Sequence, residues 1–129
     1  MCPNPNSKIL VVDDDADIRE VLGEVLTESG HEVLTASNGL EALQILRDGW
    51  DPCMVLLDLM MPVMDGYVFL EEARSDPALS SIPITVITAG RQVDVQRLEG
   101  ATLVAKPIRL PALMSLIAKN CYPGPAGRA

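Results

Sequence analysis

The sequence predicts an α/β fold: five strands alternating with five helices, the strands forming one parallel sheet. Three observations predict it. Short apolar runs at Ile9–Val12, Cys53–Leu57 and Ile84–Ile87 are too uniform for one-sided surface strands and read as strands buried on both faces. The stretches between them carry apolar residues at helical spacing, such as Ile18, Val21, Leu22, Val25 and Leu26. Glycine, asparagine and proline punctuate the joins at Gly30, Asn38-Gly39, Gly49 and Pro62. Right-handed crossovers then put helices on both faces and bring every strand's carboxyl end to one edge.

Taken in order, Ile9–Val12 is the first strand and ends in Asp13-Asp14-Asp15, which precedes helix one. Gly30 stops that helix, Glu32–Ala36 is a short second strand, and Ser37-Asn38-Gly39 turns the chain into helix two, with Leu40, Leu43, Ile45 and Leu46. The third strand, Cys53–Leu57, runs straight into Asp58. Helix three, roughly Gly66–Ser75, takes Asp65 as its N-cap and buries Phe69, Leu70 and Ala73. The fourth strand ends at Thr88-Ala89-Gly90, and a helix four with a poor apolar stripe is expected over about Val93–Glu99. Leu103–Ala105 is the fifth strand, ended by Lys106-Pro107, and helix five, about Leu110–Asn120, offers Leu113, Leu116 and Ile117 to the core.

At 129 residues the chain is one domain, expected over residues 8–121, with a disordered lead at 1–7 and a disordered Pro/Gly-rich tail at 122–129. Only four residues are Phe, Tyr or Trp, so the core must be aliphatic. A formal net charge of −8 argues against a nucleic-acid partner. Residues 1–99 hold all 18 acids and six bases, whereas residues 100–129 hold four bases and no acid. Cys2, Cys53 and Cys121 have no metal-ligand spacing; Cys53, opening a buried strand, reads as a small hydrophobe in a reducing cytoplasm. The start of the chain lacks a signal peptide's apolar core, no run reaches membrane-spanning length, and without a signal sequence Cys2 is not expected to carry a lipid anchor.

The shared edge collects Asp13, Asp14, Asp58, Thr88 and Lys106. Open α/β sheets place their ligands at this edge. Three carboxylates brought together repel one another unless a cation joins them, and an oxygen-only donor set suits Mg²⁺. A carboxylate is also a competent nucleophile toward phosphorus. Asp58, alone at the end of the central strand, is the candidate nucleophile, with Asp13 and Asp14 as metal ligands. The metal would screen the incoming charge, while Lys106 and the Thr88 hydroxyl reach phosphoryl oxygens. Singly, each residue has a plainer reading: a helix N-terminus favours acids, which accounts for Asp15 and Asp17, and Thr88 suits a strand. The five together at consistent strand ends outweigh those readings.

Val11-Val12-Asp13-Asp14-Asp15, the stretch Leu57-Asp58-Leu59-Met60-Met61-Pro62-Val63-Met64-Asp65-Gly66, Thr88-Ala89 and Lys106-Pro107 resemble the response-regulator receiver domain of two-component signalling, over about Lys8 to Asn120. The resemblance implies a flavodoxin-like, CheY-like sheet of order 2-1-3-4-5. It implies that Asp58 accepts a phosphoryl group from a phosphohistidine on a sensor kinase or phosphotransfer protein. It implies direct Mg²⁺ ligation by Asp14, Asp58 and the backbone carbonyl of Met60, with Asp13 acting through water. Thr88 would move toward the phosphoryl group, Lys106 would pair with it, and Lys106-Pro107 would be cis. It also implies a cytoplasmic signalling protein, monomeric or weakly dimeric, that is read by a downstream protein and turns over only its own phosphate. Two features depart from the family: Leu103 stands where an aromatic residue is usual, and the span from Thr88 to Lys106 is shorter by about one helical turn.

A haloacid-dehalogenase-like phosphatase is the rival enzyme, reading Asp13-Asp14-Asp15 as its nucleophile motif. That family needs a further acidic motif after the lysine, and no Asp or Glu follows Glu99. The rival also leaves Asp58 without a role. A second rival is a receiver-like module that signals by contact alone, and a third is a domain cut from a longer regulator or hybrid kinase. Met1 and the short polar tail favour a stand-alone protein.

Overall fold

The strands form because their apolar residues have two faces to cover. The computed structural model describes residues 7–89, 93–98 and 101–121. Strands β1 (Lys8–Val12), β2 (Glu32–Ala36), β3 (Met54–Leu57), β4 (Ile84–Thr88) and β5 (Thr102–Ala105) make one sheet. All neighbours are parallel, in the order β2-β1-β3-β4-β5, as the resemblance implied. The expected lead at residues 1–7, apart from Ser7, and the expected tail at 122–129 lie outside the described residues.

Alternation along the strands splits the core into two layers. Leu10, Val12, Val55, Leu57, Ile84 and Val86 face α2 (Gly39–Arg47) and α3 (Gly66–Ser75), where Leu43, Leu46, Phe69 and Leu70 close the layer. Ile9, Val11, Met54, Leu56 and Ile87 face α1 (Ala16–Glu28) and α4 (Leu110–Asn120), meeting Leu22, Leu26, Leu113 and Ile117. Each such side chain taken from water contributes roughly 1.5–3 kcal/mol before the chain entropy it must offset. Val21, expected on the buried stripe of α1, is instead half exposed, and Leu116 of α4 is only partly buried.

The helix ends follow local chemistry. Asp15 caps α1 by accepting from the Asp17 N–H, the plain role its position suggested. Asn38 caps α2 through the Glu41 N–H, and Asp65 caps α3 through the Val68 N–H. Gly30 and Gly49, both with positive φ, end α1 and α2.

Two expectations are corrected. The described residues hold four α-helices, not five: in place of the helix expected over Val93–Glu99 there is a 3₁₀ turn at Val95–Leu98. This segment offers one buried apolar residue, Leu98, and is held by side chains on α3 rather than by its own periodicity. Arg97 pairs with Glu71 at 2.9 Å and lies over the Tyr67 ring, and the Asp94 N–H donates to the Tyr67 hydroxyl at 2.8 Å. Second, Cys53 is not a lone buried thiol. It is disulfide-bonded to Cys121, because α4 runs back to the sheet's amino edge and ends beside the start of β3.

Candidate functional site: an acidic pocket at the carboxyl edge

Register brings the acids together. Val12 pairs with Leu57 across β1 and β3, so the next residues, Asp13 and Asp58, leave the sheet side by side. The Asp58 N–H still donates to the Val12 carbonyl at 2.9 Å, extending the ladder to Asp58 itself. On the far side Thr88 pairs with Ala105, and the Lys106 N–H donates to the Thr88 carbonyl at 3.0 Å. Lys106 therefore departs one step past the ladder, and its peptide bond to Pro107 is cis.

Carboxylate oxygens of Asp13, Asp14 and Asp58 lie within 4.8 Å of one another. Asp13 and Asp58 are buried, while Asp14 is exposed. Lys106 Nζ sits 3.2 Å from Asp13 Oδ2 and 3.9 Å from Asp58 Oδ1, an unequal pairing that favours Asp13. Asp13 also accepts from the Asp15 N–H at 2.9 Å. The Asp58 carboxyl is pushed above the usual carboxylate range, first by burial and then by the charge of Asp13. Lys106 and the Met60 N–H pull it back, and Asp14 adds a smaller push upward. Three acids thus gather around one lysine that pairs with only two of them, Asp13 and Asp58, and the oxygen donor set fits a hard divalent cation. Thr88 is buried at the end of β4, on the same edge. All five residues singled out in the sequence lie along this one edge.

The loop after Asp58 is shaped by close backbone packing. A Cβ on Gly66 would lie 2.6 Å from the Asp58 carbonyl oxygen and 2.7 Å from Leu59 Cα, and the Gly66 N–H donates to the Leu59 carbonyl at 2.9 Å. Only glycine allows α3 to start so close to the strand end. Val63 takes φ 67° at the centre of a three-residue turn closed by the Met64 N–H on the Pro62 carbonyl at 2.7 Å. That conformation is strained for a β-branched residue. The Met64 carbonyl in turn accepts from the Gly39 N–H at 2.9 Å, tying the loop to the start of α2.

Two features escaped the sequence reading. The Arg19 guanidinium donates to the Asp13 carbonyl at 2.6 Å; its position one turn into α1 was the available signal. Beside the acids, Ile18, Val21, Leu22, Ile108 and Leu110 line an apolar cavity of about 390 Å³ that reaches Lys106 and Pro107. It joins α1 to the loop before α4, and no local motif marks it.

The sequence matches the response regulator receiver domain family over residues 9–118. The chain belongs to that family. This receiver domain is 51% identical over 86 residues to a probable transcriptional regulator, ycf27, of Porphyra purpurea, an alignment covering 67% of this chain and 34% of the relative. The chain thus spans about a third of that relative's length. Among solved structures, Vibrio cholerae chemotaxis protein CheY4 superposes with a TM-score of 0.79 at 28% identity, covering 89% of this chain and 98% of that one. The Thermotoga maritima response regulator TrrA, solved in complex with Mg(2+)-BeF, superposes with a TM-score of 0.77 at 34% identity, covering 88% and 97%. The receiver domain is thus one of the domains of two-component systems. None of its described helices is long and apolar enough to cross a membrane.

Proposed function

We propose that this receiver domain takes a phosphoryl group onto Asp58 from a phosphohistidine on a sensor histidine kinase or phosphotransfer protein. The observation that carries the reading is the cluster of three carboxylates within 4.8 Å, with Lys106 beside two of them. An Asp58 oxygen attacks phosphorus, a P–O bond forms as the P–N bond to histidine breaks, and the imidazole leaves. Lys106 exchanges its weaker partner, Asp58, for the oxygens of the new phosphoryl group, and the Thr88 hydroxyl donates to another. The cavity beside Lys106 is apolar, so a donor that presents its histidine to Asp58 also covers Ile18 and Ile108.

Asp13, Asp14, Asp58 and the Met60 carbonyl would hold Mg²⁺, with Asp13 acting through water. Bound there, the ion supplies positive charge that screens carboxylate from phosphoryl oxygens. Catalysis is confined to the domain's own acyl phosphate, its formation and slow hydrolysis. The reading further places the protein in the cytoplasm, off membranes and without nucleic acid, as a monomer or weak homodimer over a single domain at residues 8–121. A downstream protein would read the phosphorylated surface.

The test is labelling with a small acyl-phosphate donor, with and without Mg²⁺, followed by mass mapping. A single label on Asp58 that is lost in Asp58→Asn supports the reading. A label on Asp13, Asp14 or a histidine overturns it.

A further inference from the structure

We infer that Cys53 and Cys121 form a reversible thiol–disulfide site, opened by a dithiol reductant, that fastens or frees the end of α4. The bond joins the residue before β3 to the residue after α4, with Cα atoms 5.4 Å apart. It lies at the amino edge of the sheet, opposite the acidic pocket, yet it spans that pocket's parts. The two cysteines stand 68 positions apart, and the segment between them includes Asp58, Thr88 and Lys106. Both cysteines belong to the core layer formed by Met54, Leu113 and Ile117, so opening the bond loosens one end of that layer and leaves the strand order intact.

Two observations point to exchange rather than a permanent staple. Both cysteines are buried, but Cys53 lines an open cavity of about 360 Å³ with Asp51, Pro52, Ser81, Pro83 and Lys119, the side from which a thiolate would approach. The reduced state is also provided for. Cys53 Sγ lies 3.1 Å from the Lys8 carbonyl oxygen, and once it carries a proton it donates to that acceptor. In the cytoplasm proposed above, a reducing compartment on which this inference rests, disulfides are, as a rule, transient. In the exchange, a reductant thiolate attacks Cys53 Sγ, the S–S bond breaks, and Cys121 leaves as a thiolate and takes a proton. The reductant's second thiol then attacks the mixed disulfide and releases Cys53. Two electrons pass to the protein and the dithiol becomes a disulfide; an oxidised dithiol reverses the step.

The experiment uses the full chain carrying Cys2→Ala, so that Cys53 and Cys121 alone titrate. The protein is equilibrated in native buffer against reduced and oxidised dithiothreitol in varied ratio, alkylated and weighed, and its amide exchange is followed in both limits. The expected result is full conversion in both directions, with two alkyl groups gained on reduction. Reduction lowers the melting temperature by about 10 °C, because a long closed loop is released. Exchange across residues 110–120 rises about tenfold or more, while residues 54–57 keep their protection. Cys121→Ser shows the reduced pattern without reductant. Asp58→Asn leaves the redox titration unchanged, so this result and phosphoryl labelling fail or succeed separately. Two free thiols that oxidised dithiothreitol cannot join, a bond that opens only in denaturant, or reduction with no change across 110–120 would each overturn the proposal.

Discussion

The backbone of Asp58 touches the start of α3 at Gly66, where an added Cβ would meet the Asp58 carbonyl oxygen at 2.6 Å. The nearest atoms are mainly main chain, which cannot swing aside as a side chain does. Gly66→Ala must therefore move either the helix or the strand end that carries Asp58. The expected cost is about 1–3 kcal/mol of stability by urea unfolding. Labelling of Asp58 should slow roughly tenfold to a hundredfold, since small misplacements of a reacting group are expensive. Unchanged labelling in a destabilised variant would separate packing from positioning.

The crowding of Asp13, Asp14 and Asp58 makes a prediction about metal and stability together. Saturating Mg²⁺ should raise the parent's melting temperature, by about 2.7 kcal/mol of stability at a hundred times the dissociation constant. Asp14→Ala should lose most of that gain while losing little stability of its own, because Asp14 is exposed and the change relieves repulsion. Asp58→Asn, which removes a buried charge held above its ordinary range, should melt at or above the parent in metal-free buffer. Thermal melts with and without Mg²⁺ check all three, and undiminished Mg²⁺ stabilisation of Asp14→Ala would count against the site.

Much of this was legible in the residues because it rests on local rules. Two-sided apolar runs located β1, β3 and β4, and strand-end acids became neighbours once the sheet was parallel. What the sequence hid depends on distant contacts. The 3₁₀ turn at Val95–Leu98 is held by Glu71 and Tyr67, more than 20 residues earlier, so its own pattern could not announce it. The Cys53–Cys121 bond requires knowing that α4 ends at the amino edge beside β3. Gly66 was visible as the start of helix three, but its close approach to Asp58 was not.

His31 offers a pH prediction with a definite sign. Its ring is buried at the entry to β2, with Nδ1 3.1 Å from the Ser7 carbonyl. Burial lowers its pKa below the ordinary 6.5, partly offset by the Ser7 hydrogen bond. As pH falls, the unfolded chain takes the proton first, so the stabilisation is complete above about 6.5 and is lost as pH drops toward the folded value. Relative to His31→Gln, whose amide can still donate to Ser7, the parent should be at its best near pH 7.5 and lose ground by pH 5.5. Urea unfolding of both proteins at the two pH values checks this, and a difference that stays constant would rule it out.

The last prediction concerns where a phosphoryl group is felt. Leu103 is 44% exposed on β5, so it occupies no buried space that Thr88 could open or fill. Thr88, by contrast, is buried at the end of β4, and the chain beyond it leads to the turn at Val95–Leu98. That turn rests on α3 through three contacts: Arg97 with Glu71, Arg97 over Tyr67, and Asp94 with the Tyr67 hydroxyl. The charged pair is on the surface and weak, so the turn has a low threshold for release. A phosphoryl group shifts an equilibrium only as far as it contacts the two states differently. Those contacts should fall on residues 93–98 and hardly at all on Leu103. A phosphoryl mimic should therefore change amide exchange across residues 93–98 more than across β5 or α4. Arg97→Ala should raise exchange in the same segment without any mimic and shrink the mimic's further effect. Large changes confined to Leu103 and α4, with residues 93–98 silent, would locate the response on the other face of the domain.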